Sequence, residues 1–215
     1  MKHRLSQLPG TLRKTEEEDI MNEMMKLMTG RRTYRRFDQS RRIPEEVIEE
    51  IIESARLSSS ARNDQQLTFA VVENAEKVEE IFPMTHFAGA LPKELGTPKD
   101  GEHPVLYILL LMKAEAKDPW IPVDAGIAAA NMTMAAWYHG VGSCIMGAID
   151  RKAIREALAI PEKYEIHTAI AFGYPTHKST VVPVGEDGKL KYYLDENRDY
   201  YVPKKDVRDI SFRIR

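Results

Sequence analysis

A cluster of arginines is the most concentrated charge in this sequence. The segment RRTYRRF, residues 31–37, carries four guanidinium groups, those of Arg31, Arg32, Arg35 and Arg36. In an extended backbone alternate side chains share a face, so Arg31, Thr33 and Arg35 are predicted to converge while the intervening side chains point away. Because planar guanidinium groups bind phosphate through paired hydrogen bonds, the segment predicts a small ligand that carries a phosphate. The alternative is a solvated basic surface or a weak nucleic-acid patch.

The chain as a whole is nearly neutral, so the arginine cluster needs a local explanation. The 215 residues contain 31 Lys and Arg against 33 Asp and Glu, so a net charge of -2 draws the protein to neither nucleic acid nor anionic lipid. The single cysteine, Cys144, excludes an intramolecular disulfide and favours a reducing compartment. The N-terminus has no apolar signal segment, and the longest apolar run, residues 105–112, is far shorter than a membrane helix. We therefore expect a cytoplasmic protein.

Other common catalytic motifs are absent from the sequence. The segment GVGSCIMGAI, residues 140–149, lacks the Lys and Ser or Thr of a phosphate-binding P-loop and the third glycine of a dinucleotide fingerprint. The six histidines show no metal-binding spacing, so no metal site is predicted, and no serine lies in a G-x-S-x-G motif. Cys144 lies in a predicted apolar strand without an evident histidine partner, which favours a structural role.

Two predicted helices flank the arginine segment. Residues 19–30 place apolar side chains on one helical face, and Gly30 is predicted to end this helix in the left-handed conformation. Residues 44–57 begin with Pro44 and have acidic residues in the first turn, which is typical of a helix N-terminus. The apolar face of the first helix comprises Ile20, Met24, Leu27 and Met28; the second helix is predicted to bury Val47, Ile48, Ile51, Ile52 and Ala55.

The remaining pattern predicts a mixed α and β domain over residues 19–215, preceded by a polar arm, residues 1–18. Residues 124–138 are apolar on nearly all faces, which indicates a helix buried against another helix or a partner subunit and ended by Gly140. Asp150 is predicted to cap a helix over 151–158. Short aliphatic runs predict strands at 67–73, 105–112, 143–149 and 166–175. Residues 83–104, rich in proline and glycine, are a candidate lid, and residues 176–215 are predicted to form a hairpin and a C-terminal arm.

Four segments, in this order and spacing, resemble the nitroreductase family of flavin mononucleotide (FMN) enzymes. They are RRTYRRF, SSSARNDQQLTFAVV, DAGIAAANMTMAAWYHGVGSCIMG and AIAFGYP. The resemblance covers about residues 20–210. It implies an α+β three-layer sandwich, with a mainly antiparallel central sheet flanked by helices, in an intertwined homodimer that holds flavin at its interface.

The resemblance implies a role for each part of the arginine segment. The family element R-R-S-x-R is matched by Arg31, Arg32, Thr33 and Arg35. Arg31 and Thr33 would bind the phosphate and ribityl chain, with Arg32 beside them, and Arg35 would lie near N1 and O2 of the isoalloxazine. A fixed cation there stabilises the negative charge that reduction places on that edge, and so raises the reduction potential. Arg35 is therefore the strongest candidate for tuning catalysis.

Two further segments and a basic pair would complete the cofactor site. A serine loop would come from the partner subunit, although Ser59 replaces the family's proline and a Gln-Leu pair replaces its Pro-Trp. The segment GVGSCIMG, residues 140–147, would run past the flavin and place a backbone N–H of Met146 or Gly147 near N5. A glycine there lets the backbone approach the ring closely. The implied cofactor-binding residues are Ser59, Ser60, Ala61, Asn63 and Gln65 in the loop, Ile145, Met146 and Gly147 near N5, and Lys204 and Lys205 at the phosphate, with Lys178 as a weaker alternative.

The resemblance implies an oxidoreductase that takes hydride from NADH or NADPH and passes electrons to a small, planar, electron-poor acceptor such as a nitroaromatic or a quinone. Two alternatives share the same fold: a reductive dehalogenase of the halotyrosine deiodinase type, and a protein that stores or senses flavin without turnover. Residues 83–104 do not clearly reproduce the Glu, Tyr and Lys set with which the deiodinase lid holds its substrate.

Overall fold

A four-stranded antiparallel sheet forms the centre of the computed structural model, which describes residues 23–214. Of its two inner strands, β2 is almost wholly buried and β4 is buried in its second half, and successive buried side chains along them enter two different hydrophobic clusters. This alternation arises because neighbouring side chains on a strand point to opposite faces. In spatial order the strands are β1 (Leu67–Val72), β2 (Leu106–Lys113), β4 (Tyr164–Gly173) and β3 (Gly142–Met146).

Helices cover both faces of this sheet. The helices α2 (Glu45–Arg56) and α5 (Ile121–Tyr138) pack on one face, while α3 (Ala75–Ile81) and α6 (Arg151–Ala157) pack on the other. The predicted caps are present: Asp150 accepts a hydrogen bond from the backbone N–H of Ala153, and Gly140 follows α5 with a φ of 73°. The α+β three-layer sandwich predicted from the sequence is therefore confirmed.

A smaller three-stranded sheet follows the central one. Its strands β5 (Ser179–Pro183), β6 (Tyr193–Leu194) and β7 (Tyr200–Lys204) have the order β5-β7-β6. The pairing of β6 with β7 is the predicted hairpin, whereas the parallel pairing of β5 with β7 was not predicted. The short helix α7 (Val207–Ile210) and the residues after it are exposed.

The segment between β1 and β2 is more ordered and more buried than its composition predicts. It contains a 3₁₀ turn, Phe82–Met84, and the helix α4 (Lys93–Gly96). Phe87 belongs to the central hydrophobic cluster, so the segment that is predicted to be a lid from its prolines and glycines also contributes a side chain to the core.

The first helix, α1, differs from its prediction. Its described part, residues 23–30, includes Gly30, which does not have a positive φ. A Cβ at Gly30 would lie 2.6 Å from Nε1 of Trp137, so close packing, and not a left-handed turn, explains this glycine. Met24 and Met28 are about half exposed, and Ile52 of α2 is only half-buried. The predicted arm, residues 1–18, lies outside the described residues, as does Ile20.

Candidate functional site

The arginine segment runs beside the outer edge of the central sheet. The backbone N–H of Tyr34 donates to the carbonyl of Ser143, 2.9 Å away, and Thr33 forms an isolated parallel bridge with Ser143. As expected for extended backbone, Tyr34 and Arg36 are buried while Thr33 is exposed. The segment therefore presents one side chain row to the protein interior and the other to its surroundings.

Buried contacts fix the inner row. The ring of Tyr34 stacks on Trp137 at 5.1 Å between ring centres, and its hydroxyl donates to the carbonyl of Gly30. Arg36 forms a salt bridge of 3.5 Å with Glu102 and donates to the carbonyl of Arg198 at 2.6 Å. Arg36 is thus a structural cation that joins the arginine segment to the C-terminal region.

Arg31 and Arg32 have different environments, although the sequence places them side by side. Arg32 donates to the carbonyls of Arg31 and Met28, so its guanidinium interacts with the C-terminal end of α1. Burial and the nearby charge of Arg31 lower the pKa of Arg32. Nε of Arg31 is buried without a hydrogen-bond partner among residues 23–214. Because an unpaired buried donor costs free energy, Arg31 suits an anionic ligand better than Arg32 does.

Arg35 lies between two tyrosines of the smaller sheet. Its guanidinium carbon is 4.6 Å from the ring centre of Tyr192 and 4.8 Å from that of Tyr200, within the range of cation–π interactions. Its backbone N–H donates to Nε2 of His177 at 3.0 Å. Sequence reasoning missed all three partners, because no local pattern joins residue 35 to residues near 177, 192 and 200.

His177 is a buried, neutral hydrogen-bonding residue. Its Nδ1 donates to the carbonyl of Lys178 at 2.9 Å, so Nε2 is left as the acceptor for the Arg35 N–H. Burial is the main reason that the pKa of His177 falls to about 4, and the charges of Arg36 and Arg35 act in the same direction. The ring therefore stays neutral near pH 7 and holds the backbone of Arg35 in place.

The end of β3 has an open glycine. A Cβ at Gly142 would lie 2.6 Å from Pro175 and 2.9 Å from Tyr34, whereas a Cβ at Gly147 would meet nothing within 4 Å. Internal packing thus requires glycine at position 142 but not at position 147. At Gly147 a ligand could approach the backbone closely. Before it, Ile145 is 46% exposed and Met146 is buried.

Cys144 is no nucleophile in this environment. Its side chain is buried in the central cluster, and burial raises the pKa of the thiol to about 11. A thiol with such a pKa is protonated near pH 7, in agreement with the structural role inferred from sequence.

The serine loop is held against α5, from its first turn to its middle. Oδ1 of Asp124 accepts from the backbone N–H of Ala61 at 3.0 Å, and Asn131 donates to Oγ of Ser58 at 2.7 Å. Neither α5 residue was identified from the sequence as a support for the loop. Ser59, Asn63 and Gln65 are exposed, and a cavity of about 160 Å³ opens between the loop and α5. Arg62, Asn63 and Gln65 all have positive φ, between 48° and 58°.

A single chain does not bring the two predicted halves of the site together. The serine loop contacts Asp124 near the start of α5, while the arginine segment packs on Trp137 near its end. At a rise of 1.5 Å per residue these positions are about 20 Å apart along the helix.

The predicted lysines are exposed on the smaller sheet. Lys204 ends β7, four residues and about 13 Å along the strand from Tyr200, and Lys205 follows it. Lys178 is nearer to Arg35, because its carbonyl accepts from both His177 and the backbone N–H of Tyr200. These hydrogen bonds therefore favour Lys178 over Lys204 and Lys205 as a neighbour of Arg35.

Similarity to known proteins agrees with this geometry. Residues 28–174 match the model of the nitroreductase family. A protein of Archaeoglobus fulgidus, provisionally named NADH dehydrogenase/NAD(P)H nitroreductase, is 31% identical over 165 residues, which cover 72% of this chain and 87% of the relative. The chain belongs to the nitroreductase family.

Solved nitroreductase structures share the fold. An FMN-dependent nitroreductase from Clostridium difficile is 25% identical and superposes with a TM-score of 0.60 over 73% of this chain and 90% of its own. A Bacteroides fragilis nitroreductase with bound FMN has 22% identity and a TM-score of 0.59 over 77% and 97% of the two chains. The nitroreductase match contains the arginine segment, the serine loop and Gly147. It ends before the smaller sheet that supplies Tyr192 and Tyr200.

Metal clusters and membrane-spanning helices are both absent from the described residues. Within residues 23–214, no three or more His, Cys, Asp and Glu side chains are grouped so that they could hold a metal ion. No helix of this part of the chain is long and apolar enough to cross a membrane.

Proposed function

We propose that the protein is an FMN-dependent oxidoreductase that passes electrons from NADH or NADPH to a small, planar, electron-poor acceptor such as a nitroaromatic or a quinone. The observation that carries the proposal is the outward row of the arginine segment, Arg31 and Thr33, on the same sheet edge as the open Gly147. When bound, FMN supplies the two-electron chemistry, so the chain needs no nucleophile of its own.

The residues present fit FMN on two independent counts. Arg31 has a buried Nε without a partner among the described residues, which suits a phosphate oxygen. A Cβ at Gly147 would meet nothing within 4 Å, and this open space suits the close approach of a flat ring to the backbone. Arg31 and Thr33 would hold the phosphate and ribityl chain, and the N–H of Gly147 would bind the ring. Lys178, Lys204 and Lys205 remain candidates for a further phosphate contact.

Arg35 would place a fixed positive charge at the pyrimidine edge of the ring. Its two tyrosine partners restrict the guanidinium without neutralising it, because cation–π contacts leave the net charge in place. Residues 83–104 border the same region, since the backbone N–H of Ala90 faces the hydroxyl of Tyr192 at 3.4 Å. This contact supports the proposal that the segment acts as a lid.

A homodimer would complete the site. The serine loop and the arginine segment lie at opposite ends of α5, so we infer that each flavin uses the arginines of one subunit and the loop of the other. Along the same helix, Val123, Ala130 and Tyr138 lie exposed. Exposed apolar side chains on a central helix are suited to a large subunit contact. The cytoplasmic location stays a prediction from cysteine usage.

The test is a spectrum followed by anaerobic reduction. The purified protein should carry flavin, and NADH or NADPH should bleach its visible band. Adding a nitroaromatic or a quinone should then restore the band. A band that NADH and NADPH leave unchanged would favour flavin storage, and recovery only with a halotyrosine would favour dehalogenation. A colourless protein that binds polynucleotide with steep salt dependence would support the nucleic-acid alternative.

A further inference from the structure

A second cavity opens next to Gly147, and no residue of the arginine segment lines it. It has a volume of about 590 Å³, within the usual range of small-molecule sites. It lies between the end of β3, the first turns of α6 and the first half of β4. The residues that line it include Gly147, Arg151, Lys152, Arg155, Glu165 and His167.

The cavity is positively charged in a chain that is slightly negative as a whole. Arg151, Lys152 and Arg155 face a single acidic lining residue, Glu165. None of the three cations forms a salt bridge within residues 23–214. Burial and the charge of Arg151 lower the pKa of His167, so that ring adds no charge near pH 7. Three cations against one carboxylate leave the lining with an excess of positive charge that no salt bridge among residues 23–214 offsets.

Two of these cations are held in place by backbone carbonyls. Arg151 donates to Ile166 at 2.9 Å, His167 at 2.8 Å and Gly147 at 3.2 Å. Arg155 donates to the carbonyls of Pro161 and Tyr164. Carbonyl partners orient a guanidinium group but leave its charge intact. An anion that binds here therefore loses little free energy to the ordering of these two side chains.

We propose that this cavity binds the diphosphate of the dinucleotide electron donor, with its nicotinamide end directed toward Gly147. The inference rests on the proposed function, because the same glycine lines the cavity and is the proposed contact of the flavin ring. The exposed Lys152 supplies the mobile cation of the site, and the carbonyl-bound Arg151 and Arg155 supply the fixed ones. The proposed diphosphate site includes no residue of the arginine segment, so the phosphate of FMN and the phosphates of the electron donor occupy separate sites.

The test measures binding without electron transfer. ADP-ribose carries the donor's diphosphate but no nicotinamide, and its dissociation constant for the purified, flavin-loaded protein is measured by titration calorimetry. Lys152→Glu should weaken binding about fivefold to tenfold, and added salt should weaken wild-type binding further. Lys189→Glu is the matched control, because Lys189 is exposed and does not line the cavity. It should leave the affinity unchanged.

A second ligand identifies which phosphate is recognised. If 2′-phospho-ADP-ribose binds more tightly than ADP-ribose and Lys152→Glu removes the difference, the cavity binds phosphate but reads the 2′-phosphate of NADPH. Equal affinities, both weakened by Lys152→Glu, would support the diphosphate assignment. Equal ADP-ribose affinity for wild type and Lys152→Glu would overturn the proposal, and so would the same loss in Lys152→Glu and Lys189→Glu.

These outcomes are separable from failure of the proposed function. Flavin that NADH reduces normally in Lys152→Glu, with an unchanged Michaelis constant for NADH, would overturn the cavity assignment and leave the oxidoreductase intact. A protein purified without flavin would overturn both. Unchanged thermal unfolding of Lys152→Glu would show that a binding defect is not a folding defect.

Discussion

At the scale of single residues, the arginine segment has inner positions that pack into the protein and outer positions that face its surroundings. Alternation along an extended backbone was sufficient to predict that Thr33 and Arg35 differ from Tyr34 and Arg36 in direction. It was insufficient to predict what Arg35 touches, because Tyr192 and Tyr200 come from a distant part of the chain. Cation–π partners of this kind leave no local signature in a sequence.

Arg35 should set the flavin potential through its charge. Arg35→Ala removes the cation that we place at the pyrimidine edge, so we expect a lower reduction potential and slower reduction by NADH. A loss of about 1.4 kcal/mol corresponds to about 30 mV for a two-electron couple. Arg35→Lys keeps the charge and is expected to lose less. Spectroelectrochemistry measures both, and equal potentials in wild type and Arg35→Ala would contradict the assignment.

His177 should make stability depend on pH in a defined window. Its folded pKa of about 4 lies below the ordinary histidine value of about 6.5, so the unfolded chain binds a proton first. The contribution is fully present above pH 6.5 and is lost as the pH falls toward 4, by about 3 kcal/mol at most. His177→Gln cannot titrate, so its free energy of unfolding should fall less over this window than that of wild type. Parallel curves from urea unfolding would contradict this.

At the scale of elements, sequence periodicity was sufficient for most of the central fold. The apolar stripe of α2 and the aliphatic run of β2 are local patterns, and both elements form within one or two residues of their predicted ends. The strand predicted over 143–149 ends at Met146, because the chain then turns into α6. The parallel pairing of β5 with β7 depends on contacts distant in sequence, which no local pattern encodes.

Two glycines at the ends of β3 should respond differently to the same substitution. Gly142→Ala would force a methyl group against Pro175 and Tyr34, so we expect a loss of about 1–3 kcal/mol in the free energy of unfolding. Gly147→Ala meets nothing within 4 Å and should fold normally, yet bind flavin more weakly. Chemical unfolding and flavin content after dialysis measure the two effects. Normal flavin retention in Gly147→Ala would place the ring elsewhere.

At the scale of the whole molecule, the length of α5 decides how the site is built. Asp124, which holds the serine loop, and Trp137, on which the arginine segment packs, are about 20 Å apart along it, so we propose that a ligand needing both draws them from different chains. The sequence predicted each half, but their separation follows only from which end of the helix each half contacts. In a two-fold dimer the same arrangement occurs twice.

This separation predicts that two defective variants complement each other. Arg31→Ala with Arg35→Ala removes one half of both sites. Ser60→Asp with Asn63→Asp places negative charge on the other half, and aspartate tolerates the positive φ of position 63. Each variant alone should retain little flavin. In a heterodimer of the two, purified with two affinity tags, one site combines both defects while the other combines intact arginines with an intact loop.

The heterodimer should therefore hold about half the flavin of the wild-type dimer and regain activity in proportion. Flavin absorbance per chain and NADH oxidation with a quinone acceptor measure this recovery. The two homodimers, purified in the same way, are the controls. If each subunit supplied both halves of its own site, every site in the heterodimer would carry a defect and no flavin would return. Recovery thus reports which chain supplies the loop, independently of the acceptor that the enzyme reduces.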